Sequence, residues 1–380
     1  MLVVSYLANA PFSPRGERTA HVVSALEAFA DVSVLSGSRG PTDVARAGKP
    51  RLVRLLGLAR RRLLLDAMEP WALVKRSSTL LPSDGALLVA YPFSPVVHAA
   101  RRLRKRGVPY VVDVGDPWIL TARNLPLRTP ALQRARRMET RLWKFASGAI
   151  VTTHEQAARL QHLFPGLDLL VRPNGTDNFP LSSEDVPPAR HPKSVLKLVH
   201  FGSIDLVRED VRPFLAALGA SGRWELVTFD QFGSDWANVL GVNIPGVTVS
   251  RNAPVPWSDA VKVARKYDAG VVIGNKDTSQ LPSKTVTYLT LPLPRIAVTS
   301  QVENSALALY LADKPAWLIV DPASPRVPER VARHVVARFD EGAFGPPVTE
   351  EWETVSREIA EYVRVRLFEG DSRRSRLVER

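Results

Sequence analysis

Short apolar runs alternate along the chain with stretches whose apolar residues recur every three or four positions. Runs at 2–7, 32–35, 86–90, 108–114, 148–152 and 168–171 predict buried strands, because a strand covered on both faces is continuously apolar. The stretches between them carry helical spacing. Val22, Val23, Leu26 and Phe29 place a helix over 18–30, and basic helices follow at 96–106 and 130–145. Strands separated by helices of this length imply a parallel sheet with crossover connections.

The periodicity lapses over 176–194, TDNFPLSSEDVPPARHPKS, where four prolines and several polar residues mark a linker. It then restarts. Strands are predicted at 195–201, 224–229, 247–249, 269–273, 295–298 and 317–320. Helices are predicted at 212–219, 257–266 and 283–291, with two more near 328–339 and 349–368. The reading is two doubly wound α/β domains, 1–175 and 195–345, joined by the linker and followed by a C-terminal segment, 346–380. Ligands of such sheets bind beyond the carboxyl ends of the strands, so a cleft between the domains is the expected site.

A length of 380 residues, 45% of them hydrophobic and 23% charged, suits two ordinary cores and excludes a disordered chain. Cysteine is absent, which removes disulfides, zinc–thiolate sites and cysteine nucleophiles. The seven histidines show no metal spacing, so no metal site or cofactor is expected. No apolar run reaches the roughly 18–20 residues of a membrane span, and MLVVSYLANAP reads as a strand rather than a signal peptide. The expected location is cytoplasmic, peripheral to a membrane at most.

Charge changes the picture. The formal net charge is +13, and residues 1–170 hold all of it, with 25 Lys and Arg against 12 Asp and Glu; the remainder balances at 26 against 26. Such asymmetry points to an anionic partner for the first domain. Residues 51–65, RLVRLLGLARRRLLL, interleave arginine with leucine and suit anionic headgroups, or alternatively an inward-packed segment with solubilising arginines. The cations of 101–107 read as a solvated helix face. Nucleic acid is an unlikely partner, since no stacked-aromatic or helix-turn-helix signature is present.

Four segments carry candidate chemistry. Gly16, between Arg15 and Arg18, lets backbone approach a phosphate or sugar, or is a plain strand-to-helix turn. Asp113 and Asp116 follow a buried strand, where a carboxylate orients a hydroxyl, acts as a base, or starts a turn. Asn174-Gly175 reads as a positive-φ turn. Pro282 and Ser283 open a helix whose amides, with Lys284, suit a diphosphate.

In this order, PRGERTAHVVSAL (14–26), VVDVGDPW (111–118), VRPNGTD (171–177), HFGSID (200–205) and LPSKTVTYLTLPLPRIAV (281–298) resemble the family four glycosyltransferases of the GT-B fold. The resemblance covers nearly the whole length. It implies two Rossmann-like domains facing across a cleft, and transfer of a sugar from a nucleoside diphosphate sugar to a glycan, lipid-linked or small-molecule acceptor, with retention and without a metal. It also implies that the final helix returns to the first domain. It assigns donor binding to Gly202, Ser203, Arg208, Ser283, Lys284, Thr287 and Tyr288. Asp116, with Asp113, takes the catalytic place, and Arg15, Gly16 and Arg18 form an acceptor or phosphate loop.

This sequence departs from the family pattern. Ser203 stands where the family has arginine, and Arg208 where it has lysine. Ser279 and Thr287 stand where it has a glutamate pair, and Tyr91-Pro92 where it often has histidine. The rival readings are a non-catalytic partner or scaffold protein of the same fold and a basic nucleic-acid-binding protein.

Overall fold

A computed structural model describes residues 1–5, 14–36, 84–90, 93–116, 130–177, 194–205, 207–235, 238–314, 316–341 and 350–369. The arginine–leucine segment 51–65, Tyr91-Pro92 and most of the expected linker lie outside them. The chain divides into two compact units, Met1–Gly175 with Trp352–Arg380, and Thr176–Glu351.

In the first unit, β1 (Leu2–Ser5), β2 (Ser33–Ser36), β3 (Ala86–Val89), β4 (Tyr110–Val114), β5 (Gly148–Val151) and β6 (Leu169–Val171) form one parallel sheet in the order β2-β1-β3-β4-β5-β6. Its apolar runs serve two cores. Leu2, Val4, Leu88, Val112 and Val151 pack with α2 (Phe93–Lys105), α3 (Pro130–Lys144) and α4 (His154–Leu163). Val3, Leu87, Val111 and Ile150 pack on the opposite face with α1 (Pro14–Glu27) and α10 (Trp352–Arg364). The fully apolar strands are thus explained by burial on both sides. Helix α10 presents Trp352, Val355, Ile359 and Val363 to this face, a stripe of helical period.

The second unit holds β7 (Val195–Phe201), β8 (Leu226–Phe232), β9 (Val247–Asn252), β10 (Ala269–Ile273), β11 (Arg295–Val298) and β12 (Trp317–Val320), all parallel, in the order β12-β11-β10-β7-β8-β9. Helices α5 (Arg212–Gly219) and α9 (Val327–Glu341) cover one face; α6 (Trp257–Ala264), α7 (Lys284–Thr287) and α8 (Ala306–Leu311) cover the other. From β7 the chain runs outward through β8 and β9, then returns to β10 on the other side of β7. The reversal point therefore lies between β7 and β10, the place where doubly wound sheets leave a crevice for ligands.

Three local expectations change. Helix α1 starts at Pro14, a residue suited to the first helical position, so Gly16 lies in its first turn and not in a loop. The helix expected over 283–291 is only Lys284–Thr287 followed by a 3-10 turn, Tyr288–Thr290. Gly175 is not among the positive-φ residues; it is glycine because a Cβ there would meet the Trp352 ring at 2.6 Å.

Candidate functional site

The crevice at the reversal point is built from the turns that leave β7 and β10. Gly202 ends β7, and its amide donates to the Phe232 carbonyl at 3.0 Å, laying the turn against the neighbouring end of β8. Gly233 completes the fit. Its φ is +153°, and a Cβ would stand 2.3 Å from the Gly202 oxygen, so only glycine suits the position. Beyond the turn the chain folds back to β10. Glu209 donates its amide to the Gly274 carbonyl at 2.9 Å, and Lys276 donates to the Val207 carbonyl at 2.9 Å. Between them the Arg208 guanidinium donates to Asn275 Oδ1 at 2.6 Å. Asn275 is buried and also reaches the Gln280 carbonyl, at 3.3 Å, which holds the loop that leads to Lys284.

Lys284 opens α7 and lies over the Trp257 ring, 5.6 Å from its centroid. Ser283 precedes it with helical φ and ψ, and its hydroxyl makes no capping bond. Thr287 is half-buried at the end of the same turn. Ser203 is exposed and Gly202 half-buried beside the Arg208 loop.

Beneath this surface sits His200. It is buried, and its Nδ1 lies 2.8 Å from the Val271 carbonyl of β10. Its Nε2 would lie 3.0 Å from a Cβ at residue 202. Burial, above all, pushes the imidazole down to about 4, and the charges of Arg208 and Lys284 push the same way against backbone contacts with Val271 and Ser203. His200 is neutral at neutral pH, and two cations lie within electrostatic reach of one ring. On the adjacent strand Gln231, also buried and level with His200, donates to the Gly202 carbonyl at 2.9 Å.

Tyr288, expected to touch a donor, does not line this crevice. It is fully buried, and its hydroxyl accepts from the Phe201 amide at 2.6 Å. Its ring packs among Phe201, Trp257 and Trp317. Burial raises its pKa, so the phenol stays protonated. Tyr288 supports the end of β7 from below.

The first unit gathers a second polar cluster at the carboxyl end of β4. Arg18 and Asp113 are both buried and form a two-pronged ion pair, Nε to Oδ2 at 2.8 Å and NH2 to Oδ1 at 3.0 Å. Arg18 also donates to the Pro173 carbonyl at 2.9 Å. The pair ties α1, β4 and the turn after β6 together. Asp113 and Arg18 thus spend these hydrogen bonds on one another and on the backbone in the interior of the unit, away from the exposed surface. Asp116 differs. Its side chain is 40% exposed and forms an ion pair with Arg15. The Arg15 guanidinium lies over Gly115, where a Cβ would stand 2.9 Å from it. Of the residues expected at this end, Asp116 and Arg15 alone form a half-open charged pair.

Sequence reasoning missed His200, Asn275 and Gln231. The signal available was the GN pair that follows the apolar run 269–273, a polar side chain at a strand's carboxyl end. Among the described residues, no three His, Asp or Glu side chains gather into a metal-binding group, and no helix is long and apolar enough to cross a membrane.

No protein-family model matches the chain, and no curated protein matches it in sequence. Solved structures do match in fold. Sucrose-phosphate synthase from Thermosynechococcus elongatus superposes with a TM-score of 0.58 at 11% identity, covering 100% of this chain and 99% of that one. A putative UDP-N-acetylglucosamine 2-epimerase from Listeria monocytogenes gives 0.54 at 10% identity, covering 97% and 96%. Anabaena HepE, solved with UDP and glucose, gives 0.50 at 13% identity, covering 100% and 99%. With two six-stranded parallel sheets, each flanked by helices on both faces, the chain has the GT-B fold.

Proposed function

We propose that the protein is a glycosyltransferase that takes its sugar from a nucleoside diphosphate sugar. One observation carries the reading: Arg208 and Lys284, on the turns that follow β7 and β10, both act electrostatically on one neutral, buried histidine at the reversal point of the second sheet. A diphosphate leaving group accumulates negative charge as the glycosidic bond breaks, and two fixed cations there stabilise that charge without a metal. Arginine suits the task because its guanidinium offers parallel donors to two phosphate oxygens, and Asn275 holds it in place. Ser203, at the exposed turn, and Ser283 and Thr287, on the Lys284 turn, supply the remaining contacts to the donor. In the first unit Asp116, paired with Arg15, orients or deprotonates the acceptor hydroxyl. The acceptor is a glycan, a lipid-linked sugar or a small molecule, and the configuration at the transferred carbon is retained.

A second reading is nucleotide-sugar epimerisation, since a putative 2-epimerase shares the fold. The same two cations would then hold a diphosphate that stays attached to its sugar. Loss of the family's glutamate pair leaves a third outcome, a donor-binding protein without turnover.

The test combines binding and turnover. Arg208→Ala and Lys284→Ala are each expected to weaken UDP or GDP by roughly ten- to a hundredfold, the loss of one charge-assisted contact of about 1.5–3 kcal/mol. Binding of the bare nucleoside should change little. Equal losses for nucleotide and nucleoside overturn the phosphate assignment. Incubation with a panel of UDP- and GDP-sugars then separates the readings: free nucleoside diphosphate indicates transfer, an isomerised and intact nucleotide sugar indicates epimerisation, and bound but unchanged donor indicates a non-catalytic role. Transfer should persist in a strong chelator and fall at least a hundredfold in Asp116→Asn.

A further inference from the structure

Helices α2 and α3 lie side by side on one face of the first sheet and pack against each other. They run in the same direction. Arg134, near the start of α3, acts on His98, in the middle of α2, while Arg104, near the end of α2, lies 4.2 Å over the ring of Phe145, just past the end of α3. Most of the exposed residues of both helices are cations at helical spacing, with Gln133 and Thr140 the uncharged ones on α3. On α2 the cations include Arg101, Arg104 and Lys105, and on α3 they include Arg134, Arg137, Arg141 and Lys144, all exposed. Neither helix offsets them. The one acidic residue in the two, Glu139, is fully buried and accepts from Trp143 Nε1 at 3.2 Å. His98, half-buried beneath the face, registers the accumulated charge: burial lowers its pKa first, and Arg101, Arg102 and Arg134 lower it further.

Helices of this length, about 20 Å each and about 10 Å apart, make a broad, nearly flat cationic surface. We propose that this α2–α3 face docks the protein on an anionic lipid bilayer. The shape selects the partner. A single helix fits the roughly 12 Å major groove of duplex DNA, but a pair of helices side by side does not. Phe145, the exposed aromatic at the rim, has one ring face occupied by Arg104. A bilayer surface is flat and meets both stripes at once. Among the described residues the face carries no row of exposed apolar side chains, so attachment is electrostatic, without insertion, and salt reverses it. The proposal is independent of the donor site in the second unit.

The test is co-sedimentation of the full chain with vesicles of phosphatidylcholine alone and with one-third phosphatidylglycerol, at low salt and at about 0.5 M, where the Debye length falls to a few ångströms. The wild type is expected to bind only the anionic vesicles and only at low salt. Replacing Arg134, Arg137, Arg141 and Lys144 by Gln should weaken binding at least tenfold, and replacing Arg101, Arg104 and Lys105 by Gln should do the same. A charge-matched control on the second unit, Arg223, Lys262, Lys266 and Arg326 to Gln, should bind like the wild type. Unchanged thermal midpoints show that the variants fold. The proposal is overturned if the wild type stays in the supernatant, if the control loses as much as the face variants, if binding is lost only when Arg51, Arg54, Arg60, Arg61 and Arg62 are changed to Gln, or if duplex DNA at the same salt displaces the protein from the vesicles.

Discussion

Arg18→Met is expected to cost the protein about 3–5 kcal/mol of folding stability, because it leaves the Asp113 carboxylate buried without its counter-charge. Both side chains of the pair are only 3–4% exposed. Water therefore cannot replace the guanidinium, and the deletion also removes the donor to the Pro173 carbonyl. The measurement is chemical denaturation of the full chain, followed by a signal from the first unit such as Trp143 or Trp352 fluorescence, both of which are buried there. A double variant, Arg18→Met with Asp113→Leu, should recover a large part of the loss, since an apolar pair of similar volume needs no charge compensation. Nucleotide binding by the second unit should be unchanged in a folded Asp113→Asn protein. An Arg18→Met protein that unfolds with the wild type, or an Asp113→Asn protein that folds normally but fails only in turnover, would return Asp113 to the active site.

The strands were legible in the sequence because burial on both faces writes them as unbroken apolar runs; 110–114 and 269–273 read correctly for that reason. The two-fold division was legible for the same reason, since the pattern stops and restarts. What the sequence does not write is which strands are neighbours. His200 and Asn275 are 75 positions apart and meet Arg208 only because β10 returns beside β7. Lys284 is a candidate from its place at a helix start and Arg208 from the family resemblance, yet their shared reach to one buried imidazole is invisible in one dimension. Tyr288 and Asp113, both expected at the site, have buried side chains, and sequence order does not reveal which way a side chain turns. Tyr288 turns inward to accept from the Phe201 amide, and the helix expected to run on to Leu291 gives way there to a 3-10 turn. Asp113 lies within β4 and faces Arg18, while Asp116, three residues on and past the strand, is half-exposed.

The second unit is expected to lose about 3 kcal/mol of stability between pH 6.5 and pH 4 through His200 alone. The folded imidazole sits at about 4 against an ordinary 6.5. Across that interval the unfolded chain binds a proton that the folded chain refuses, so protons favour unfolding, and each pH unit costs up to about 1.4 kcal/mol. Above pH 6.5 the imidazole is neutral in both states and the contribution is flat. Below pH 4 both states are protonated and the loss is complete. His200→Gln keeps a polar side chain in the same space but cannot titrate. Its urea midpoint should therefore fall less than that of the wild type as pH drops through this window, while the carboxylates titrating in both proteins cancel in the comparison. The imidazole C–H resonances of His200 in the folded protein should show a midpoint near pH 4 directly. A bound diphosphate places negative charge beside Arg208 and Lys284 and offsets their repulsion of the imidazolium, so saturating UDP should move that midpoint upward. Equal acid sensitivity in the wild type and His200→Gln would mean that the ring escapes its burial. A midpoint that UDP leaves in place would mean that the diphosphate binds elsewhere than over His200.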